Sequence, residues 1–429
     1  MESKTTSLKR VLKPVHVWAL AVGLVISGEY FGWNYGWKVA GTLGFFIATL
    51  IVTVLYTCFV FSYTELTTKI PHAGGAYAYA QKAFGNLGGW IAGYASLVEF
   101  LLAPPAIALA LGSYVHFLHP GISVMTVAIG AYLLFTAVNI LGMKESAILN
   151  LIVTILAIGE LLIFLGVLAP HFEWAKFKAH NTGFGWPGVF EALPFAVWLY
   201  LGIEGVAMVA EEVIDPYKTI PKGYILGILT LVLLAVGVML VSGGVGDWRE
   251  LSSIDYPLPK AIAMAHGEQS FLAKLFAGIG LFGLIASFHG LMIGYSRQLF
   301  ALSRAGLLPR FIGCVNSTFQ TPHWALIVGA IIGLLSLATG TTDKVIILSA
   351  FGAIVLYIIS MLSLFRVRRI PGVEKGYQTP FYPALPLVAL VLSLVCLVAM
   401  VWYNQFLGIL FFSILGLILL FYFLVRKTT

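Results

Sequence analysis

The chain has 429 residues, 60% of them hydrophobic and only 10% charged. Soluble domains carry about 25% charged residues, so this composition excludes a soluble fold. The net charge of +7 reads as basic loops on one side of a membrane and not as a nucleic-acid surface.

Only helices and closed barrels satisfy their backbone in lipid. The apolar runs here are about 20 residues or longer, which fits helices and not the ten-residue strands of a barrel. The N-terminus has lysines and then an apolar stretch. No small-residue cleavage site follows, so we read an uncleaved first helix. The three cysteines, Cys58, Cys314 and Cys396, are widely separated and suggest neither a disulfide framework nor a metal site.

The first apolar segment, Val15 to Trp33, holds Ile26-Ser27-Gly28-Glu29-Tyr30-Phe31-Gly32. Glycine weakens a helix by roughly 1 kcal/mol relative to alanine. A carboxylate at bilayer depth costs a few kcal/mol or more unless it lines a cavity or has a partner. The stretch therefore predicts a broken helix with a polar site at the break. A second one, Gly202-Ile203-Glu204-Gly205, interrupts a later apolar run.

Twelve spans are expected, near 15–35, 39–67, 84–112, 121–141, 147–168, 189–213, 222–244, 271–300, 323–339, 343–366, 382–402 and 405–425. Pro104-Pro105 should kink the third. The loop 245–270, with Asp247, Trp248, Arg249 and Glu250, should contain a short interfacial helix.

With the N-terminus inside, the non-cytoplasmic segments hold Lys38, Lys176, Lys178, Arg249, Lys260, Lys274 and Lys344, which is 7 of the 25 basic residues. The other 18 fall on the cytoplasmic side, so both termini are expected in the cytoplasm of a cell (inner) membrane.

Spans 1–5 (residues 1–168) open with the Glu29 break, and spans 6–10 (189–366) with the Glu204 break. Spans 11 and 12 (382–425) are left over. Matched interrupted helices in two halves predict an all-α polytopic protein with a 5+5 inverted repeat, the leucine-transporter-type fold, and a binding site where helices 1 and 6 are interrupted.

At this point the residues resemble a known family, the amino acid–polyamine–organocation permeases, over nearly the whole chain. Five motifs in order carry the resemblance. They are Val22-Gly23 to Gly32; Tyr63-Thr64-Glu65-Leu66 with Pro71 to Tyr77; Gly142 to Ser146 with Asn150; Gly202 to Val213 with Ile220-Pro221-Lys222-Gly223; and Ser296-Arg297 to Phe311 with Asn316 and Thr321-Pro322.

Two departures bear on the substrate. The family's Gly-Ser/Ala-Gly turn presents backbone N–H groups to a substrate carboxylate, but here its third position is Glu29. A fixed anion there repels a carboxylate and attracts an ammonium. Some members also place a lysine near the position of Ala157. This chain has no lysine or arginine between Lys144 and His171, and has Glu160 instead. The pattern resembles the ethanolamine permease branch, which implies import of a small primary amine by alternating access. The alternatives are a permease for small neutral or cationic amino acids and, from a different class, an ammonium or proton channel. No nucleophile–base constellation suggests an enzyme.

The expected substrate site comprises Ser27, Gly28, Glu29, Tyr30, Glu99, Tyr200, Gly202 and Glu204. Its ammonium would lie among Glu29, Glu99 and free carbonyls near Leu201 and Gly202. Each residue has a plainer reading. Glu29 could face water, Gly28 could serve helix packing, Glu204 could hold the break open, and Glu99 could be a neutral acid bonded to a neighbouring helix. Phe31, Tyr94 and Trp198 are further candidate walls. His289 reads as a satisfied core histidine, and Glu211 and Glu212 as interfacial ion-pair partners. No cofactor is expected. A coupling proton or Na+ is left open, and the partners are the amine and the lipid bilayer.

Overall fold

The computed structural model describes residues 10–142, 147–180, 185–268, 270–339, 341–372 and 376–428. Lys4, Lys9, Lys144 and Lys375 of the basic-residue count, and Met143 to Ser146 of the third motif, lie outside the described residues.

Every regular element among the described residues is helical. The first span comprises α1 (Pro14–Val25) and the single turn α2 (Ser27–Tyr30). Then come α3 (Tyr35–Lys69), α4 (Ala76–Leu118), α5 (Val124–Ile140), α6 (Ala147–Leu168) and the short α7 (Trp174–Lys178), α8 (Trp186–Glu191) and α9 (Leu193–Trp198). A tight three-residue-per-turn helix over Ile203–Glu212 leads to α10 (Pro216–Gly243), α11 (Pro257–His266), α12 (Phe271–Arg304), α13 (His323–Thr339), α14 (Thr342–Val367), α15 (Ala384–Tyr403) and α16 (Gln405–Thr428).

Among the described residues, nine helical segments are long and apolar enough to cross a membrane, and Pro14–Val25, Val124–Ile140 and His323–Ala338 are shorter apolar helices. These shorter three stand where spans 1, 4 and 9 were expected. The expected starts near 39 and 84 match real interruptions, Gly41 (φ 64°) inside α3 and Gly85 (φ 69°) inside α4. The expected kink at Pro104-Pro105 does not appear as a departure from helical angles, which within α4 occurs at Gly85. Glycine takes positive φ without a steric penalty, whereas proline keeps φ in the helical range. A short helix, as expected, stands in 245–270: α11.

Burial sorts the helices. The segment Leu193–Glu212 is 94% buried within its apolar window and is the least apolar of the nine, whereas Gln405–Leu424 is only 17% buried. Next to it in burial stand α4 and α14, which pack extensively on each other. Outward residues such as Leu226, Leu229 and Leu233 on α10 are large, apolar and exposed. Apolar surface on this scale marks a lipid-facing perimeter. The molecule is a multi-pass membrane protein.

The end nearer the termini is closed by polar links. Leu12 bridges Val213, with the Ile214 N–H donating to the Leu12 carbonyl at 2.9 Å. Of the two acids expected to form ion pairs, Glu212 pairs with Arg297 of α12 at 3.3 Å, while Glu211 accepts from the Ala73 N–H at 2.8 Å. Glu65, fully buried in the last turn of α3, is held by Lys69 at 2.9 Å and by Arg368 beyond α14 at 2.7 and 2.5 Å. The Arg368 guanidinium also stacks 3.5 Å over the Tyr382 ring.

Removing Arg368 takes two charge-assisted hydrogen bonds from the buried Glu65 carboxylate and leaves it Lys69 and the Thr379 N–H, which donates at 2.8 Å. Arg368→Met should therefore destabilise the protein by about 3 kcal/mol. The test is thermal unfolding in detergent, where Glu65→Gln combined with Arg368→Met should recover much of the loss. An unchanged melting temperature in Arg368→Met would show that Lys69 and the Thr379 N–H already suffice for Glu65.

Candidate functional site

The two interrupted segments lie against each other. A Cβ on Gly28 would stand 2.6 Å from the Trp198 carbonyl oxygen, so only glycine lets the two backbones approach this closely. The Trp198 indole N–H in turn donates to the Phe31 carbonyl at 2.9 Å. Each break thus supplies part of the other's support.

The first break is displaced from the expected position. Ser27, Gly28 and Glu29 form one helical turn, in which the Glu29 N–H donates to the Ile26 carbonyl at 3.0 Å. The chain leaves the helix at Phe31, which is extended, and Gly32, with φ +91°. Gly28 serves close packing, and Gly32 supplies the backbone angle that L-residues rarely adopt. The second break is where it was expected. It opens at Gly202 (φ +97°), and Glu204 and Gly205 start the tight helix.

Breaking a helix strands backbone groups that must find other partners. Aromatic donors do this for three consecutive carbonyls. The Trp33 indole donates to Glu29 O at 3.1 Å, the Tyr114 hydroxyl to Tyr30 O at 3.2 Å, and Trp198 to Phe31 O. The Gly32 N–H donates to the Asn34 side chain at 2.9 Å. The Gly202 carbonyl, expected to be free, accepts from the Gly205 N–H at 3.0 Å. Sequence reasoning missed Trp33, Tyr114 and Asn34. Tyr114 stands 84 residues from the carbonyl it serves. Trp33 and Asn34 stand only four and two residues from the groups they serve, but such spacings become partners only once the chain leaves the helix.

Glu29 is fully buried, and among the described residues neither carboxylate oxygen has a hydrogen-bond partner. It does not face water. The Tyr200 and Tyr30 hydroxyls lie within electrostatic reach of it. Tyr200 is buried, with its hydroxyl 2.7 Å from that of Thr53 and its ring centroid 5.1 Å from that of Tyr56. Tyr30 reaches α6, where its hydroxyl donates to Glu160 at 2.8 Å. The Ser27 and Ser287 hydroxyls are 2.8 Å apart, which ties the turn to α12.

Glu99 and Glu204 form a second polar group. Both are buried and their carboxyls act on each other. Among the described residues Glu29 shares no hydrogen bond with this pair. The Tyr357 hydroxyl, from α14, lies 3.0 Å from Glu204 Oε2 and 2.9 Å from the Tyr56 hydroxyl, which lies 3.1 Å from the Val197 carbonyl. Three contacts take three hydrogens, and two hydroxyls carry two. The chain is complete when Glu204 holds a proton.

Other expected positions are resolved more simply. Tyr94 points to α16, where its hydroxyl donates to Phe411 O at 2.8 Å, and is no wall of the site. His289 lies 2.8 Å from the Asn139 side-chain oxygen, in keeping with a satisfied core histidine.

With Glu29, Glu99 and Glu204 at 0%, 0% and 2% exposure, the site is shut from both ends. An enclosed acidic site between two helix interruptions can hold a small cation out of water, and releasing it requires helices to move.

Comparison with known proteins accords with this architecture. Residues 12–425 match the family model described as amino acid permease. An uncharacterized transporter of Rhizobium meliloti is 30% identical, with 94% of this chain and 88% of that protein aligned. The branched-chain amino acid permease BcaP of Bacillus subtilis is 26% identical, over 92% of this chain and 89% of its own. The methylthioribose transporter of the same organism is 26% identical, over 90% and 88%. The chain is therefore a transporter and not an enzyme, and it belongs to the amino acid permease family of the amino acid–polyamine–organocation superfamily.

Proposed function

We propose that this protein imports a small primary amine, ethanolamine in its ammonium form, by alternating access. One observation carries the reading: Glu29 is buried at the first break with both carboxylate oxygens unpartnered among the described residues. An isolated buried carboxylate costs several kcal/mol, and an ammonium offers it both a countercharge and three donors. A substrate carboxylate at the same place would meet an anion.

On this reading Ser27, Gly28, Glu29, Tyr30, Tyr200 and Gly202 form the substrate site, and Glu99 and Glu204 are an acidic pair beside it. The aromatic ring of Tyr200 supplies a cation–π face. The three shorter apolar helices count as spans, which gives twelve. The segments 1–168 and 189–366 are the two inverted halves, with 382–425 appended and both termini cytoplasmic. The membrane potential is worth about 2.3 kcal/mol per charge per 100 mV. It can therefore concentrate a cation roughly 50-fold without a coupling ion.

A second reading is a permease for small amino acids. The name of the Bacillus subtilis relative favours it. Ethanolamine, glycine, alanine and leucine in one competition series separate the two. Ethanolamine should bind best, because Glu29 opposes a carboxylate. If neutral amino acids bind and ethanolamine does not, the amine reading fails.

Glu29→Gln keeps shape but removes charge. A charge-assisted hydrogen bond is worth about 1.5–3 kcal/mol against 0.5–1.5 for a neutral one, so ethanolamine affinity should fall roughly five- to thirty-fold. Glu29→Gly should lose as much. Titrations of each folded variant decide this, and wild-type affinity in both would remove Glu29 from the site.

If the Glu99–Glu204 pair passes a proton during the cycle, ethanolamine uptake should vary with pH, and Glu99→Gln should flatten the profile in a folded protein. Wild-type uptake that follows membrane potential alone would assign the pair to structure.

A further inference from the structure

Above Glu29, at the end of the molecule away from the termini, a polar cluster ties three elements together. Asn34, fully buried just after the first break, donates to the carbonyls of Leu251 at 2.6 Å and Ile254 at 2.8 Å. One residue on, the Tyr35 hydroxyl donates to Asp255 Oδ1 at 2.7 Å. The other oxygen of Asp255 accepts from the Thr342 hydroxyl, in the first turn of α14, at 2.8 Å. One half-buried carboxylate thus joins the start of α3, the 245–256 loop and α14. Trp33, Trp37 and Trp248 fill the space around this end, with ring centroids 4.8 and 6.2 Å apart along the series.

We propose that Asp255 is a proton-sensitive latch on the cover of the site, closing the 245–256 loop and α14 onto the first break. The inference rests on the transport reading, because Glu29 is reached from this end only when the cover lifts. Among the described residues the carboxylate has two hydroxyl donors and no ion-pair partner. Partial burial pushes Asp255 up to about 6, opposed by the Tyr35 and Thr342 hydroxyls and reinforced by the Asp343 carboxylate on α14. Lys260, the basic residue of the following helix, is engaged by Glu250 at 3.3 Å and Glu268 at 2.6 Å.

The sign follows from linkage. A free aspartate titrates near 3.9, so the latched state binds the proton more tightly than the open one. The latch is therefore strongest in acid and weakens as pH rises through about 6. Between pH 7.5 and pH 5 the latched-to-open ratio should rise about tenfold.

The test is a distance measurement between spin labels in nanodiscs. Lys38→Cys on α3 and Ser253→Cys on the loop, both at exposed positions, carry the labels, with Cys58, Cys314 and Cys396 replaced by serine. In the otherwise wild-type protein the short-distance population should grow at pH 5 relative to pH 7.5. Asp255→Asn, which keeps a neutral acceptor, should show the short distance at both pH values. Asp255→Ala and Tyr35→Phe should shift toward the long distance at both. Unchanged wild-type distances, or Asp255→Asn following pH as the wild type does, would overturn the latch. Ethanolamine titration of the same samples keeps the two ideas apart, since failure to bind amine leaves the distance result standing.

Discussion

Two interrupted helices braced on each other set the rest of this structure. Gly28 lets the first break touch the backbone of the second, and the Trp198 indole returns a hydrogen bond to the Phe31 carbonyl. A backbone opened in an apolar environment is tolerated only where the freed groups find partners. Here Trp33, Tyr114 and Trp198 cap three successive carbonyls, so the interruption is a built feature. The buried acids, the aromatic enclosure and the ties at both ends are arranged around that contact. Glu29 can remain buried without a hydrogen-bond partner among the described residues because the fold holds its turn from three sides, through Ser287, Trp198 and Tyr114.

The polar groups divide the interior into two stations. One is Glu29 with Tyr200 and the neighbouring Tyr30–Glu160 pair. The other is Glu99 with Glu204, connected through Tyr357 and Tyr56 to the Val197 carbonyl. The second station reaches the backbone of the second break and could link its protonation to that segment's shape. The first suits a cationic ligand.

Much of this was legible in the residues. Composition alone requires a membrane protein, and the paired Gly/Glu interruptions locate both breaks to within a few residues. The departure of the chain at Phe31–Gly32, not at Ser27–Glu29, was hidden because two glycines and a serine look alike as breakers. Only their neighbours show that Gly28 is needed for contact and Gly32 for its dihedral angle. The Glu99–Glu204 pairing joins residues 105 positions apart, and the Tyr357 contact spans 153. No periodicity within a helix encodes such distances. Tyr94 went the other way for the same reason: its face of α4 is turned to α16.

A charge at Glu29 that selects an amine should be visible in transport itself. Uptake of labelled ethanolamine and labelled alanine into proteoliposomes tests it most directly. We predict saturable ethanolamine uptake that accelerates with an inside-negative potential and exceeds alanine uptake. Uptake of alanine with exclusion of ethanolamine would contradict the claim and leave an amino acid permease whose buried glutamate serves another purpose.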